Sequence, residues 1–479
     1  MYGALSKLNA IALFSTKTFL FIVILGAILI QSAKGQWTQS PPSSPTAPSP
    51  PANKDELVFV HTVWRHGDRT PVFIFPNDPN QEEVWSQGFG ELTTRGMAQQ
   101  VKLGHFLRKR YIEQLGLLSS QYNSKEVYVI STDVNRTIQS ATANMIGMYS
   151  AGARWGTDYP DVPEWPSAFV PVPVHTYEFK KDPVGLTRSF CQRTNELFDL
   201  VAQSPEYQQL NESSLTIMEK VSEYAGAEIT LSNLWTFIEA VNIERTHGLK
   251  PPEWAVQIVG LGLKPFLGID FAVEVPKMLG GTFLWQIIER MDQKIECLKN
   301  KAYQNQSPKG ILANKLPSAC RWMNSLKYYA HSAHDMTLAA LFSTFQFDHA
   351  DFDRNGLPDY AACALIELWR VSQRDEFYVK VLYRRDDEDE LIDMTTRIRG
   401  CEHGACSFDT FRQRSLPFKP EPDTETLCRT PLVYRPIVSP PSSAGSLPGG
   451  TAWTSIVFWT VQAAIILCSN ALLNFNHFL

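Results

Sequence analysis

The stretch Arg65-His66-Gly67-Asp68-Arg69-Thr70-Pro71 sets one imidazole between two guanidiniums. Each guanidinium can grip two phosphoryl oxygens in a planar fork, where a lysine would offer only a point charge. Gly67 lets the backbone approach a ligand closely, and Pro71 fixes where the loop ends. Nearby arginines disfavour the protonated form of His66, and only a neutral imidazole can attack phosphorus. An unperturbed histidine, with a pKa of about 6.5, would be mostly charged in acid. An exposed basic loop is the plain alternative. However, Arg, His, Gly, Arg and Pro at this spacing would arise by chance on the order of 10⁻⁴ in a chain this long, at residue frequencies of about 5%. The loop is therefore read as a phosphoryl-transfer site with His66 as nucleophile.

Two more places carry matching chemistry. Arg136 opens a helical stretch and would add a third cation to a clamp on the phosphoryl charge. His334 can donate a hydrogen bond to a phosphoryl oxygen, and Asp335 can protonate the leaving oxygen. Arginines push the pKa of Asp335 down while a bound phosphate dianion pushes it up, a balance that favours an acidic optimum. Taken alone, a helix arginine is usually solvated and a His-Asp pair is usually a surface pair or a cap. Their shared structural setting is what selects them here.

That setting is a strand-like run, a short polar loop and a helix-like stretch, found three times. Residues 57–64 precede the loop at 65–71 and are almost continuously apolar, as in a strand buried on both faces. Residues 127–130 precede Ser131-Thr132-Asp133 and an amphipathic stretch to Met148, with Thr132 or Asp133 as N-cap. Residues 326–330 precede a loop from His331 to Asp335 and a helix over 336–345. In α/β sheets ligands bind beyond the carboxyl ends of strands, where helix N-termini present free N–H groups to an anion. Thr93 is expected to cap a helix running to about Tyr111, and 150–290 reads as a mainly helical cap inserted in the body.

The motifs RHGDRTP at 65–71, GELTTRG at 90–96, STDVNRT at 131–137 and SAHDMT at 332–337 together resemble the histidine acid phosphatases of the prostatic and lysosomal type, in order and spacing. The resemblance spans residues 55–436. It implies an α/β fold: a phosphoglycerate-mutase-like core sheet with flanking helices and an inserted α-helical cap domain. It implies that His66 becomes the phosphohistidine, that Arg65, Arg69, Arg136 and His334 bind phosphate, and that Asp335 is the proton donor. It implies no metal, no cofactor and a homodimer. Among the cysteines, Cys191 with Cys428 and Cys401 with Cys406 look like family bridges. Cys297 and Cys320 look additional and could pair with each other, and Cys363 would then be the odd thiol.

Composition bounds the rest. The 479 residues are 44% hydrophobic and 19% charged, ordinary for a globular protein, and the net charge of −5 with no basic stripe excludes a nucleic-acid binder. Residues 19–30 are unbroken and apolar, follow Lys7 and Lys17, and precede Ala33-Lys34-Gly35, so 1–35 reads as a signal peptide; an uncleaved anchor is the alternative. Residues 36–54 and 437–451 read as linkers rich in Pro, Ser or Gly. Residues 452–473 are apolar and fit either a transmembrane segment or the tail of a lipid-anchor signal. In both cases the body is tethered on the extracellular or lumenal side, at the cell surface or in the lysosome. Of eight cysteines, Cys468 lies in that tail, and Cys401 and Cys406 are close enough for a small loop bridge.

Asn135, Asn211 and Asn305 open glycosylation sequons; a glycan on Asn135 would crowd Arg136, so Asn135 is expected to be bare and Asn211 and Asn305 modified. The run Asp351-x-Asp353-x-Asn355-Gly356 starts like a calcium loop but has Ala362 where the bidentate Glu belongs. The acidic run Asp386 to Glu390 reads as a solvated hairpin turn. Three functions remain in play: a broad phosphomonoesterase, an inositol-polyphosphate phosphatase, which needs a more basic cap than 150–290 offers, and an anion- or protein-binding surface protein, which has no need of Asp335.

Overall fold

The computed structural model describes residues 55–182, 184–185, 191–249, 271–306, 318–347, 357–372, 374–385 and 390–433. The expected leader, both linkers, the apolar stretch at 452–473, the loop at 351–356 and most of the acidic run lie outside these residues. No helix among the described residues is long and apolar enough to cross a membrane.

In chain order the elements are β1 (Glu56–Arg65), α1 (Thr94–Arg108), β2 (Val127–Ser131), α2 (Asn135–Tyr149), β3 (His175–Thr176), α3 (Gln192–Ala202), α4 (Pro205–Ala225) and α5 (Leu234–Thr246). Then come α6 (Phe271–Pro276), α7 (Thr282–Gln306), α8 (Ser318–Met323), β4 (Tyr328–Ala333), α9 (Asp335–Phe345), β5 (Cys363–Arg370), β6 (Phe377–Arg384), β7 (Ile392–Asp393), β8 (Cys406–Ser407), α10 (Phe408–Arg414) and α11 (Thr424–Arg429).

The strands form one mixed sheet of order β3-β2-β4-β1-β5-β6-β7, with β8 beside β6. β2, β4 and β1 run parallel, while β5 pairs antiparallel to β1. Alternation along β1 explains its near-continuous apolar sequence. Phe59 and Val63 face Leu284, Ile288, Leu338 and Leu341 on one side, and Val60 and Trp64 face Leu103, Leu107, Met145 and Met148 on the other. The sheet is thus the middle of three layers, with α7 and α9 on one face and α1 and α2 on the other. The two helices of the second face cross in contact: a Cβ on Gly104 would lie 2.1 Å from the Asn144 carbonyl oxygen, and one on Gly147 2.2 Å from that of Val101.

Several boundaries differ from the sequence reading. The third strand begins and ends later than 326–330, at Tyr328–Ala333, so His331 and Ser332 are buried strand residues rather than loop. α1 is capped by Thr93, whose hydroxyl accepts from Gly96 N, and it continues into a π turn at Lys109–Gln114. α2 is entered through Val134 and has no side-chain cap, because the Thr132 hydroxyl is engaged elsewhere. Within the span 150–290, β3 pairs with β2, and the start of α7 packs on the sheet, so both belong to the core. The helices that stand apart are α3, α4 and α5. The last two share clusters with Ile74 and Phe75, just past the loop at 65–71.

The disulfides join Cys191 to Cys428, Cys297 to Cys320 and Cys401 to Cys406, and Cys363 is a buried free thiol whose pKa burial pushes up to about 12. Asn211 is half-buried in α4, Asn305 lies in the last turn of α7, and Asn135 is exposed with its amide donating to Glu91 Oε1 at 3.0 Å.

Candidate active site

The loop at 65–71 leaves the carboxyl end of β1, between two neighbours. His66 N donates to Ala333 O at the end of β4 (2.9 Å), and Arg65 N donates to Ala362 O just before β5 (3.0 Å). The loop then passes under the start of α1. Gly67 and Gly96 touch so closely that a Cβ on Gly67 would sit 2.3 Å from Gly96 O, and one on Gly96 2.2 Å from Asp68 O. No other residue fits at either position without moving backbone. This contact aims the His66 side chain.

His66 is 1% exposed. Its Nδ1 lies 2.8 Å from Gly67 O. A carbonyl can only accept, so Nδ1 carries the hydrogen and Nε2 carries the free lone pair. Burial first, and then Arg65, Arg136 and Arg69, hold the imidazole pKa well below its usual value. The ring is therefore neutral in acid, as an attacking nitrogen must be.

His334 precedes the first turn of α9, and its ring stands edge-on to that of His66 with centroids 5.6 Å apart. Its Nε2 lies 3.0 Å from Thr132 Oγ1, which also meets Thr137 Oγ1 at 2.8 Å. Burial and then Arg136 lower the His334 pKa to about 3. With the Thr132 hydroxyl as donor, the other ring nitrogen carries hydrogen for a ligand oxygen.

Asp335 is the first residue of α9. Its Oδ1 accepts from Met336 N (2.6 Å), and its Oδ2 lies 2.8 Å from Arg65 Nη2. Burial pushes its pKa up, but Arg65, His334 and Arg69 pull harder the other way, and the net shift is downward. In the free site Asp335 is a carboxylate held by Arg65.

The three arginines are each partly engaged. Arg65 Nη1 donates to Pro358 O (2.9 Å). Arg69 donates to Thr70 O (3.0 Å) and to Glu239 Oε1 of α5 (2.5 Å). Arg136 donates to Gly90 O (3.2 Å), and burial and then Arg69 lower its pKa to about 10, which leaves it charged. Their Nε–H groups are buried without a hydrogen-bond partner among the described residues. The three guanidiniums flank one neutral imidazole, and their charge suits a tetrahedral oxyanion bound there.

The structure thus brings together His66, Arg65, Arg69, Arg136, His334 and Asp335 from the ends of β1, β2 and β4. It also adds side chains that the sequence reading did not single out: Thr132 on His334, Glu239 on Arg69, and Tyr360 under Arg65. Thr132 lies in the motif at 131–137, where its type and place suggest a helix cap. Nothing local marks Glu239 or Tyr360, which arrive from 170 and 295 residues along the chain.

Residues 56–384 match the family model described as histidine phosphatase superfamily (branch 2). The chain is 31% identical to the lysosomal acid phosphatase of Homo sapiens over 386 residues, which is 78% of this chain and 80% of that one. It is 30% identical to the testicular acid phosphatase of Mus musculus over 422 residues, covering 84% and 88%. Among solved structures, the phytase from Citrobacter braakii shares the fold, with a TM-score of 0.51 at 17% identity over 78% of this chain and 99% of that one. With the motif residues converging on one buried imidazole, the match over most of the body means that this chain belongs to branch 2 of the histidine phosphatase superfamily.

Proposed function

We propose that this chain is an acid phosphatase that hydrolyses phosphate monoesters to an alcohol and inorganic phosphate. The observation that carries this reading is the neutral His66 with its Nε2 lone pair free, close enough to Arg65, Arg136 and Arg69 that these cations, after burial, lower its pKa. In the first step Nε2 attacks phosphorus, the P–O bond to the leaving group breaks, and the proton of Asp335 goes to that oxygen. In the second step water attacks the phosphohistidine, the P–N bond breaks, and the Asp335 carboxylate takes the water's proton. Arg65, Arg69, Arg136 and His334 stabilise the equatorial oxygens in both steps. Asp335 must be protonated when the ester binds. Phosphate entering beside it displaces the attraction of Arg65 and raises its pKa, and acid supplies the proton. The rate therefore falls as pH rises past that value.

The reading as an inositol-polyphosphate phosphatase is less well supported. The helix α5 of the cap contributes a carboxylate, Glu239, to the clamp, and it would repel a second phosphate beside the first. Three disulfides fit an oxidising compartment. With the sequence's leader and apolar tail, they favour a glycosylated body in the secretory pathway, tethered outside the cytosol at the cell surface or in the lysosome.

The test is hydrolysis of an aryl phosphate and of inositol hexakisphosphate from pH 4 to 8, using protein from a secretory host. We expect acid-peaked turnover of the aryl ester, much weaker turnover of the hexakisphosphate, and loss of at least 10³-fold in His66→Ala with the fold intact. Asp335→Asn should lose turnover and keep phosphate binding. Turnover near wild type in His66→Ala would rule out the covalent route.

A further inference from the structure

Arg65 is held from three directions. Asp335 takes one end of its guanidinium at 2.8 Å and Pro358 O takes the other at 2.9 Å. The central carbon of the group, Cζ, lies over the Tyr360 ring, 4.1 Å from its centroid. The same ring stands 5.9 Å from the His66 imidazole. The backbone around Tyr360 is tied to the catalytic loop: Ala361 N donates to His66 O (3.2 Å) and Arg65 N to Ala362 O (3.0 Å). Ala361 adopts a left-handed φ of 59°, a conformation that a residue with a Cβ keeps only when its surroundings impose it. A tightly imposed turn therefore presents one aromatic face to one arginine.

The chemistry proposed above requires Arg65 to change partners. Its end nitrogen is bound to Asp335 in the free site, yet Asp335 must release it, take a proton and give that proton away, while the guanidinium passes to a phosphoryl oxygen. A long side chain freed from Asp335 would swing and lose the geometry. The two contacts that phosphate does not compete for are the Pro358 carbonyl and the Tyr360 ring. A flat ring under a flat cation holds the plane of the group while leaving its edge free to exchange one anion for another.

We infer that Tyr360 is a positioning residue for the phosphate site, its ring fixing the plane of Arg65 so that the guanidinium passes from Asp335 to the substrate without swinging. The inference rests on the phosphatase reading for its mechanism, but its core, that the ring supports phosphate binding, stands apart from turnover. The ring carries the role, so the hydroxyl is dispensable.

The experiment uses the full chain with position 360 as Phe, Leu or a phenylalanine bearing increasing numbers of ring fluorines, which drain the π face while keeping its shape. Inorganic phosphate binding is measured by calorimetry and as competitive inhibition. Tyr360→Phe should stay within about twofold of wild type, Tyr360→Leu should bind phosphate about tenfold more weakly with KM rising in step, and affinity should fall stepwise with fluorination. The charged groups near Asp335 are Arg65, His334, Arg69 and Arg136. Loosening Arg65 removes the strongest of their downward pulls, so the high-pH limb of kcat/KM should move to higher pH in Tyr360→Leu. Phosphate affinity indifferent to fluorination, or Phe as damaging as Leu, would overturn the inference. The fluorinated series keeps the test open if Leu fails to fold. A wild type that binds phosphate without turnover would sink the phosphatase reading and leave this one to be judged on binding.

Discussion

At the scale of single residues, the sequence exposes those groups whose chemistry is carried by their own side chain, and hides those that act on a neighbour. His66, its arginines and the His334-Asp335 pair stand in short motifs, so both their types and their spacing were legible. Thr132, Glu239 and Tyr360 do their work by touching a motif residue, and only folding reveals what a side chain touches. Thr132 is instructive because its type suggested a helix cap, whereas its hydroxyl lies 3.0 Å from His334 Nε2 and leaves Val134 to begin α2 without help. Replacing it with valine keeps the shape and removes the hydroxyl's hydrogen bonds to His334 and Thr137, each worth about 1 kcal/mol. The expected outcome for Thr132→Val is a fall of about fivefold in kcat/KM with the melting temperature almost unchanged, and steady-state kinetics beside a thermal melt would check both.

At the scale of elements, the strand-loop-helix rhythm was readable because apolar runs and polar loops alternate sharply in three places. It misled where polar letters are buried. His331 and Ser332 lie inside β4, so the strand extends past the point where the sequence turns polar. Ser332 earns its place through hydrogen bonds: Trp64 Nε1 donates to its Oγ at 3.0 Å, and that Oγ donates to Thr137 O at 2.7 Å. The docking of α1 on the catalytic loop through Gly67 and Gly96 has no signature beyond two glycines in motifs. Gly67→Ala forces these backbones apart, at a cost of about 1–3 kcal/mol in stability. It also displaces the imidazole, so kcat should fall about 10²-fold. Urea unfolding and turnover measured on the same preparation would show whether the two losses occur together. Full activity in the alanine variant would mean that the loop does not depend on this contact.

At the scale of the whole molecule, the three layers follow from apolar faces, but the extent of the cap does not. A helix that covers a sheet and one that covers a site show the same periodicity, so α7 could not be told from α4 by its letters. The assembled core also holds a pair of histidines, His61 and His331, with ring centroids 6.2 Å apart and no hydrogen-bond partners for their ring nitrogens among the described residues. Burial first, then Arg290, holds the pKa of each well below the ordinary value. The unfolded chain binds a proton on each below a pH of about 6.5, whereas the folded chain does not. Stability contributed by these groups is therefore whole above that pH and is lost as pH falls toward the folded values, by about 1.4 kcal/mol per histidine per pH unit. His331→Leu should flatten the slope of unfolding free energy between pH 6.5 and 4.5 by about that amount, and a slope equal to wild type in urea titrations would refute the assignment.

The bridge from Cys191 to Cys428 has a mechanical meaning as well. It closes a loop of 237 residues between the first helix of the cap and α11, near the end of the described body. Tension entering the fold from the chain beyond residue 433 would meet this covalent link within a few residues and be shared between α11 and α3. A pull on the chain beyond residue 433 would load α11 and α3 together before it reached the groups that react.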